Sequence, residues 1–419
     1  MNIYFSGLGG VGIGPLAQIA RDAGENVIGS DIAEGLVTQE LRSQGVAVHI
    51  GQDGSFLQEC QDKNPLDWFV YTSALPEDHA ELVLAKKLGI RIAKRDVFLA
   101  EFIKEKQLKL IAISGTHGKT STTGLMVWVL KQLGIPVSYS IGSTVSFGPS
   151  GAFDPKSEFF VYECDEYDRN FLNFNPYISL LPSVDYDHPD TYPSEESYRS
   201  AFSKYIQQSE LTITWKAVID FIKPETGSIW ELNPHEVLAL TLPGEHNRRN
   251  ATLVYKALEY LKVGDDEAIV TALQTFPGTD RRFEKLANNL YSDYGHHPEE
   301  IAATLQLARE VSKHVVLVYQ PHQNWRQHFV RDQYTTQFEN AETIYWLPTY
   351  LTREDPSQAT LTAHELTSNI TNLESVVYAD LNDSLWESIT AHRKNGHLVV
   401  CMGAGTIDSW VRTNLKSVS

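Results

Sequence analysis

The sequence is poor in cysteine and has neither a long hydrophobic run nor a basic leader. Its 419 residues include three cysteines, Cys60, Cys164 and Cys401, none of them near another. This excludes a disulfide framework and a cysteine-based zinc site and favours a reducing compartment. No apolar run approaches the roughly 20 residues that span a bilayer. Glycines interrupt the first apolar stretch of the sequence after Ser6. We therefore expect a cytoplasmic protein without membrane insertion.

Basic residues are also scarce. Lys and Arg number 35 against 53 Asp and Glu, so the formal net charge is −18. Nucleic acids and anionic membranes attract basic fields, so we expect no nucleic-acid partner. Apolar residues at 42% and aromatic residues at 11% are ample for packed cores, which excludes disorder. At about 150 residues per domain, the length predicts roughly three domains.

Short apolar runs alternate with amphipathic stretches, which is typical of parallel α/β domains. Helices are expected at Ile13–Ala23, Thr120–Leu133 and Ala251–Leu261. A new βα unit begins near residue 106, and Pro277-Gly278 marks a further boundary, so we expect domains at 1–105, 106–278 and 279–419. The predicted strands are Ile3–Ser6, Asn26–Gly29, Trp68–Thr72, Leu108–Ser114, Phe159–Glu163, Tyr177–Pro182, Val315–Gln320, Ile344–Leu347 and Leu398–Met402.

A glycine-rich turn follows the first predicted strand. Gly7 to Gly12 has the pattern G-x-G-x-x-G, and Asp31 comes 19 residues after Gly12. Such glycines let the backbone approach a pyrophosphate at a helix N-terminus, and the acid can bind a ribose hydroxyl. The pattern does not separate NAD from another nucleotide diphosphate, and a tight packing turn is the structural alternative.

A second glycine turn, Ser114 to Ser121, lies between an apolar strand and a helix, where a phosphate loop belongs. Its G-T-x-G-K-T form is shorter than the usual P-loop pattern. The chemical parts are intact: backbone amides for phosphate oxygens, Lys119 for the β/γ charge and Thr120 for Mg²⁺.

Carboxylates follow the strand that ends at Glu163. The run Glu163 to Asp168, and Asp187 to Asp190 after a later strand, are candidate ligands for the Mg²⁺ of a nucleotide. Each is a solvated loop if taken alone, and the phosphate loop is what favours the metal interpretation.

Three further motifs carry polar or basic side chains. Gly244 to Asn250 offers a His and two Asn to a purine ring, with a helix cap as the alternative. Arg281 and Arg282 suit a transferring phosphoryl group. The adjacent His296 and His297 could be catalytic, metal-binding or structural, although their spacing does not suit zinc. Tyr319 to Arg326 lies at a strand end, where binding residues occur in α/β sheets.

Taken together, the motifs resemble those of the Mur ligases, ATP-dependent amide-forming enzymes of peptidoglycan synthesis, over essentially the whole chain. The resemblance rests on GLGGVGIG with Asp31, YTSAL at 71–75, GTHGKTSTT at 115–123, ECDEYDRNFL at 163–172, DHPDTY at 187–192, GEHNRRNA at 244–251, RRFE at 281–284, DYGHHPEEIAATL at 293–305, QPH at 320–322 and GAGTI at 403–407.

This resemblance implies a fold and a reaction. The fold is a Rossmann-like N-terminal domain for the UDP-sugar, a central P-loop ATPase-type α/β domain, and a Rossmann-like C-terminal domain for the amino acid. The reaction joins an amino acid, with L-alanine as the first expectation, to the carboxylate of UDP-N-acetylmuramate through an acyl phosphate. ATP and Mg²⁺ are required, ADP and phosphate are released, and the protein is a monomer or homodimer.

The resemblance also assigns residues, each at the position that matches a family motif. The UDP-sugar would be bound by Gly9, Gly10, Gly12, Asp31, Ser73 and His188. ATP would be bound by Gly115, Thr116, Gly118, Lys119, Thr120, Ser121, His246, Asn247, Asn250, Arg282 and Asp293. The metal ligands would be Thr120, Glu163 and His188, and the amino acid would meet Tyr294, His296 and Arg326. The catalytic residues would be Lys119, His188, Arg282 and His296.

The chain departs from the family pattern at several positions. Gln323 stands where alanine-adding members have an arginine, Gln52 where many relatives have a histidine, and the stretch between Tyr192 and Gly244 is short. The alternatives are a recycling ligase that adds a peptide to the same sugar nucleotide, and a nucleotide-binding relative that has lost turnover. An NAD-dependent oxidoreductase would explain the first glycine turn but not the phosphate loop.

Overall fold

The first sheet has five parallel strands in the order β3-β2-β1-β4-β5. A computed structural model describes residues 1–10, 12–72, 75–352 and 354–418. Because the strand order reverses between β1 and β4, a crevice opens at the carboxyl end of β1, where the glycine turn lies. The strands are β1 (Asn2–Ser6), β2 (Asn26–Asp31), β3 (Ala47–Ile50), β4 (Trp68–Tyr71) and β5 (Arg91–Lys94), and the helices are α1 (Ile13–Asp22), α2 (Leu36–Ser43), α3 (Ser55–Lys63), α4 (Ala80–Lys87) and α5 (Arg95–Glu105).

The second sheet has seven strands in the order β12-β11-β10-β6-β9-β7-β8, parallel except for the β7–β8 pair. Central β6 leads into the phosphate loop and α6, and β9 beside it ends at the acidic run. The strands are β6 (Lys109–Ile113), β7 (Val137–Ser140), β8 (Gly151–Ala152), β9 (Phe159–Glu163), β10 (Ile178–Leu181), β11 (Thr212–Trp215) and β12 (Ile229–Leu232). The helices are α6 (Lys119–Gln132), α7 (Glu195–Gln208), α8 (Lys216–Ile222), α9 (Glu245–Leu261) and α10 (Asp266–Gln274), with 3₁₀ turns at Tyr167–Asn173 and Pro234–Glu236.

The third sheet has six strands in the order β13-β14-β18-β15-β16-β17, antiparallel only between β13 and β14. The strands are β13 (Glu284–Ala287), β14 (Leu290–Asp293), β15 (Val315–Tyr319), β16 (Thr343–Trp346), β17 (Val376–Tyr378) and β18 (Leu398–Met402). The helices are α11 (Pro298–Val311), α12 (Asn324–Val330), α13 (Ala363–Thr367), α14 (Asp383–Lys394) and α15 (Ile407–Val418), with 3₁₀ turns at Arg331–Gln333 and Leu373–Ser375.

The central strands of this third sheet show where the core lies. Every residue of β15 and β18 is buried. Along β15, Leu317 and Tyr319 pack into one apolar cluster, while Val316 and Val318 pack into another. Both faces of the sheet are therefore covered, which explains why these strands have continuous rather than alternating hydrophobicity.

The described residues form two compact units. One comprises residues 1–237 and 250–276 and contains the first two sheets, and the other comprises 238–249 and 277–419 and contains the third. Three α/β sheets confirm the predicted fold class, while the boundaries at 105 and 278 stay predictions. Among the described residues, no helix is both long and apolar enough to cross a membrane.

The nine predicted strands are all present, with ends displaced by two residues or fewer. Helix α9 differs from the prediction because it begins at Glu245 instead of Ala251. Gly244 before it has a φ of +88°, and Glu245 supplies an acidic first turn that favours the helix N-terminus. His246, Asn247 and Asn250 therefore lie within the helix rather than ahead of it.

Candidate functional site

The glycine turn after β1 is held by the backbone of β2. The amides of Gly7 and Leu8 both donate to the Ser30 carbonyl, at 2.9 and 3.0 Å, and the Gly10 amide donates to the Gly7 carbonyl at 3.0 Å. The turn is thus closed at the carboxyl ends of two adjacent parallel strands. Ligands bind at this edge in open α/β sheets.

Asp31, at the end of β2, joins this turn directly. Its Oδ2 accepts from the Gly9 amide at 2.6 Å. The structure therefore brings Asp31 together with the turn that contains Gly10 and Gly12, and the binding of a nucleotide diphosphate by these residues stays a prediction. Ser73, the remaining residue predicted on these loops, lies outside the described residues.

Arg95 is a charged residue at this site that the motifs did not indicate. It directly follows β5, and a Cβ at Gly12 would clash with its guanidinium. Glycine at position 12 therefore allows the cation to lie against the N-terminus of α1. Arg95 Nη2 also lies 3.1 Å from Asp96 Oδ1, which accepts from the Tyr162 hydroxyl at 2.6 Å. A half-buried guanidinium in this position suits a phosphate.

The phosphate loop connects β6 to α6 and is fixed by the loop after β10. The Thr116 amide donates to the Ser183 carbonyl at 2.9 Å, and its hydroxyl donates to the Asp185 carbonyl at 2.7 Å. Gly118 has a φ of +83°, and a Cβ there would lie 3.2 Å from Asn250 Oδ1. Glycine is thus favoured at 118 by both conformation and space. Asn250 borders the loop, and its predicted contact with adenine stays a prediction.

Lys119 begins α6 and turns its ammonium back into the loop. Nζ lies 2.6 Å from the Gly115 carbonyl, 2.7 Å from Glu166 Oε2 and 3.9 Å from Asp165 Oδ1. Burial alone would lower the pKa of Lys119, but the two carboxylates outweigh it and raise that pKa above its ordinary value. Lys119 is therefore a fixed cation. The sequence places Glu166 among the candidate metal ligands but does not predict its contact with Lys119.

Thr120 and Glu163, two of the predicted metal ligands, are in contact. The Thr120 hydroxyl donates to Glu163 Oε1 at 2.8 Å, and Oε2 accepts from the Gly142 amide at 2.8 Å. His188 Nε2, the third predicted ligand, lies 3.6 Å from Glu166 Oε1. That Oε1 atom is fully buried and makes no hydrogen bond to any described residue.

These residues fit a hard divalent cation. A carboxylate, a hydroxyl and an unpaired buried carboxylate oxygen are the donors that Mg²⁺ prefers. Within the described part of the chain, no three His, Cys, Asp or Glu side chains are grouped as a complete metal cage. The donor set therefore suits Mg²⁺ that shares its coordination with nucleotide phosphates, as is usual for this ion.

In the second compact unit, the Arg281–Glu284 turn is held in an unusual backbone conformation. Arg281 and Phe283 have φ values of +58° and +48°. The Arg281 amide donates to Glu284 Oε2 at 2.8 Å, and the Phe283 amide donates to Asp293 Oδ2 at 2.7 Å. Such strain persists where surrounding bonds enforce it, and it is common at functional sites. The guanidinium of Arg282 lies 5.3 Å from the centre of the Tyr294 ring.

Asp293 is the buried acid at the centre of this turn. Besides Phe283, the Gly295 amide donates to its carboxylate at 2.7 Å. Burial raises the pKa of Asp293 to about 6, although Arg282 and the two amides oppose the shift. Asp293 thus holds the turn that positions Arg282. Its predicted contact with ATP stays a prediction.

Arg282 and His296 meet at Glu300, on the first turn of α11. Arg282 Nη1 lies 3.6 Å from Glu300 Oε1, and His296 Nδ1 lies 3.6 Å from Oε2. The amides of His296 and His297 donate to the same Oε2, at 3.0 and 3.3 Å. Of the adjacent histidines, His297 is the residue that precedes the helix, and His296 is the one placed beside the arginine.

The loop after β15 lies next to His296. The rings of His296 and His322 are 5.7 Å apart, and His322 stacks on Tyr350. Arg326 follows in α12 and is nearly buried, with its guanidinium 5.4 Å from the centre of the Trp325 ring. His322 belongs to the QPH motif but had no assigned role, and its neighbours make it part of the candidate amino-acid site.

Gln323, the residue that replaces a family arginine, is also nearly buried. It has a φ of +61°, and its Nε2 donates to the Thr352 carbonyl at 3.4 Å. The Glu354 carboxylate accepts from the amides of Asn324 and Trp325, at 3.0 and 3.3 Å. The first turn of α12 is thus satisfied by the chain itself.

His246 and Asn247, predicted to hold adenine, lie at the start of α9. Burial lowers the pKa of His246 to about 4, so its imidazole is neutral at pH 7. Asn247 Nδ2 donates to the Pro243 carbonyl at 3.0 Å. A neutral imidazole suits stacking against a purine, and the adenine assignment stays a prediction.

Comparison with known proteins identifies the family. The profile described as Mur ligase family, catalytic domain, matches residues 2–107, and that described as Mur ligase, glutamate ligase domain, matches residues 281–405. A UDP-N-acetylmuramate–L-alanine ligase from Leuconostoc mesenteroides is 32% identical over 97% of this chain and 95% of its own length. The chain belongs to the Mur ligase family. Another such ligase, from Caldicellulosiruptor saccharolyticus, is 28% identical over 98% of both chains.

Solved structures of Mur ligases share the fold. A UDP-N-acetylmuramate–alanine ligase from Thermotoga maritima matches with a TM-score of 0.74 and 24% identity, over 100% of this chain and 99% of its own. A murein peptide ligase from Psychrobacter arcticus matches with a TM-score of 0.64 and 21% identity, over 100% and 98%. The family resemblance proposed from the motifs is therefore confirmed.

Proposed function

We propose that this Mur ligase joins L-alanine to the carboxylate of UDP-N-acetylmuramate at the expense of ATP, in the synthesis of peptidoglycan precursors. The curated relatives of similar length carry this activity in their names. The observation that supports it most directly is the cluster of Lys119, Thr120, Glu163 and Glu166, which has the parts that an ATP-dependent phosphoryl transfer requires.

The chemistry follows from the poor reactivity of a carboxylate, whose leaving group would be oxide. A carboxylate oxygen attacks the γ-phosphorus of ATP, the bond to ADP breaks, and an acyl phosphate forms. The amine of the amino acid then attacks the acyl carbon, phosphate leaves, and the nitrogen loses a proton. The net products are the amide, ADP and phosphate.

Lys119 is the residue that we expect to stabilise charge during phosphoryl transfer. Its ammonium is held by the Gly115 carbonyl and Glu166, so it is already oriented in the loop. A preorganised cation costs little reorganisation when charge develops. Mg²⁺ bound by Thr120, Glu163 and His188 would neutralise phosphate charge at the same place.

The other assignments divide between sugar nucleotide and amino acid. We assign Gly9, Gly10 and Gly12 to the diphosphate as the turn that lies against it, although the Gly9 and Gly10 amides already donate to Asp31 and to the Gly7 carbonyl. Arg95 beside Gly12 adds a cation. In the second unit, we assign Tyr294, His296 and Arg326 to the amino acid, and Arg282 with Asp293 to the nucleotide. Arg326 is the guanidinium suited to the amino-acid carboxylate.

A cytoplasmic location and small-molecule partners are part of the proposal. Cys60, Cys164 and Cys401 are free thiols and all are buried, which suits a reducing compartment. We expect a monomer or homodimer that needs no nucleic acid. Light scattering of the purified protein distinguishes the two oligomeric states.

The decisive experiment measures ADP release by purified protein with ATP, Mg²⁺ and UDP-N-acetylmuramate across a panel of amino acids. We expect release to depend on the sugar nucleotide and to be highest with L-alanine. A short peptide is included in the panel to test the alternative that the protein is a recycling ligase that adds a peptide. We include it because Gln323 replaces an arginine of the alanine-adding members. Absence of stimulation by every amino acid and peptide would contradict the ligase function.

A further inference from the structure

A buried carboxylate lies beneath the glycine turn of the first sheet. Glu81 in α4 is 1% exposed and forms no ion pair with any described residue. It accepts three hydroxyl hydrogen bonds instead, from Tyr4 at 2.6 Å, Ser6 at 2.6 Å and Ser30 at 2.8 Å. In each of these bonds the hydroxyl donates and the Glu81 carboxyl oxygen accepts. The hydroxyl hydrogens of Ser6 and Ser30 therefore both point at Glu81.

This arrangement determines the orientation of the Gln52 amide. Gln52 Nε2 lies 3.0 Å from Ser6 Oγ, 3.3 Å from Ser30 Oγ and 3.5 Å from Glu81 Oε2. Because both serine hydrogens point at Glu81, Ser6 Oγ and Ser30 Oγ can only accept a hydrogen bond from Gln52. The Gln52 amide must therefore turn its NH₂ group towards the serines, which leaves Oε1 facing away from them. In the described part of the chain, Oε1 has no hydrogen-bond partner.

The network adjoins the proposed diphosphate site. Ser6 immediately precedes Gly7, and the Ser30 carbonyl accepts from the amides of Gly7 and Leu8. Ser30 also precedes Asp31, whose carboxylate binds the Gly9 amide. Both serines are therefore sequence neighbours of residues that flank or anchor the turn.

We propose that Glu81 is a positioning residue and Gln52 a specificity-determining residue for the sugar nucleotide. Glu81 sets the direction of the Ser6 and Ser30 hydroxyls, and they orient Gln52 so that Oε1 accepts from an N–H or O–H donor of the ligand. The donor is the imide N–H of uracil or a ribose hydroxyl, which share this chemistry. The inference rests on the proposed function, because it assumes a uridine nucleotide at this turn.

Calorimetric titration of the full chain with UDP tests the inference. Gln52→Glu keeps the shape but loses the inward donor, so we expect about three- to tenfold weaker binding, the value of one hydrogen bond. Gln52→His should bind within about twofold of the parent, because a neutral imidazole carries one donor and one acceptor. Glu81→Gln introduces a donor that competes with the Gln52 amide, and it should weaken binding as Gln52→Glu does.

Tyr4→Phe is the matched control for Glu81. It removes one bond to the same carboxylate, and the Ser6 and Ser30 hydroxyls keep their own bonds to Glu81, so UDP affinity should be retained even if the melting temperature falls. In turnover assays, Glu81→Gln should raise the KM for the sugar nucleotide with kcat and the KM for ATP unchanged. A loss of kcat in proportion to the melting temperature, or equal effects of Tyr4→Phe and Glu81→Gln, would show a merely structural role and overturn the proposal.

Two analogues identify the donor. N3-methyl-UDP lacks the imide hydrogen and 2′-deoxy-UDP lacks a ribose hydroxyl. The analogue without the contacted donor should bind the parent more weakly than UDP does, yet bind Gln52→Met, which lacks the outward acceptor, as well as UDP does. If the parent binds UDP and Gln52→Met shows no coupling to either analogue, the inference is wrong. If the parent does not bind UDP at all, the proposed function fails first.

Discussion

The ammonium of Lys119 lies 2.7 Å from Oε2 of Glu166, a carboxylate with no solvent exposure. The nearest phosphate-loop carbonyl, from Gly115, lies 2.6 Å from the same nitrogen. The charge of the loop lysine is thus balanced by an acid of the same chain. Lys119 is therefore a cation already positioned to pair with phosphate oxygens at the loop. Once Lys119 pairs with phosphate, a divalent cation can neutralise the Glu166 carboxylate.

Lys119→Ala should abolish turnover and leave sugar-nucleotide binding intact. The variant removes the buried cation while the glycine turn after β1 is unchanged, so ADP release should fall at least about 100-fold. Lys131→Ala, at the other end of α6 and exposed, is the matched control. UDP titration checks binding and coupled ADP release checks turnover. Unchanged turnover would show that Lys119 is not the phosphate ligand.

Arg95→Ala should weaken the sugar nucleotide selectively. The guanidinium lies against Gly12, so its loss removes a charged contact to the diphosphate and should raise the KM about 10- to 100-fold. Arg91→Ala is the control, since Arg91 begins strand β5, which Arg95 directly follows, but stacks on Trp68 and pairs with Glu101. Equal KM values for the sugar nucleotide in the two variants would show that Arg95 does not contact the diphosphate.

Contiguous motifs predicted that the loop before Lys119 lies between a strand and a helix, as it does in the structure. Lys119 and Thr120 are adjacent in a pattern whose chemistry is local, and Glu163 follows a strand that pairs with the one before the loop. Arg95 could not be predicted in this way, because its neighbour Gly12 is brought close only by the packing of α5 beside α1. Glu166 belongs to the acidic run Glu163 to Asp168, but the sequence does not show which carboxylate of that run lies beside Lys119.

Asp293 should make stability depend on pH. Burial raises its folded-state pKa to about 6 from an ordinary 3.8, so the folded state binds the proton more tightly. The resulting stabilisation of the folded state is complete below about pH 3.8 and is lost as the pH rises through about 6. The free energy of unfolding falls by about 3 kcal/mol between these limits.

Asp293→Asn isolates this contribution because asparagine does not titrate. Urea unfolding of both proteins from pH 4 to 7 should show the stability of the variant, relative to the parent, rising by about 3 kcal/mol. Asparagine also lacks one of the two carboxylate oxygens that accept hydrogen bonds from the Phe283 and Gly295 amides. This loss lowers the stability of the variant by about 1–3 kcal/mol at every pH. A relative stability independent of pH would mean that Asp293 is ionised over this range.

Gln323→Arg should tighten binding of the amino acid. Gln323 precedes α12, three residues before Arg326, and a second guanidinium there would add a charge-assisted contact to the amino-acid carboxylate. The change sacrifices the Gln323 bond to the Thr352 carbonyl, worth about 1 kcal/mol of folding stability. We expect the KM for L-alanine to fall about three- to tenfold at saturating ATP and sugar nucleotide.

The control for this substitution is Gln323→Met, which loses the same bond without adding charge, so its KM for L-alanine should not fall. Melting temperatures of both variants separate stability from binding, because each loses the contact to Thr352 and only one gains a cation. A higher KM in Gln323→Arg with an unchanged melting temperature would mean that the carboxylate is bound elsewhere. A peptide acceptor would then become the better interpretation of this site.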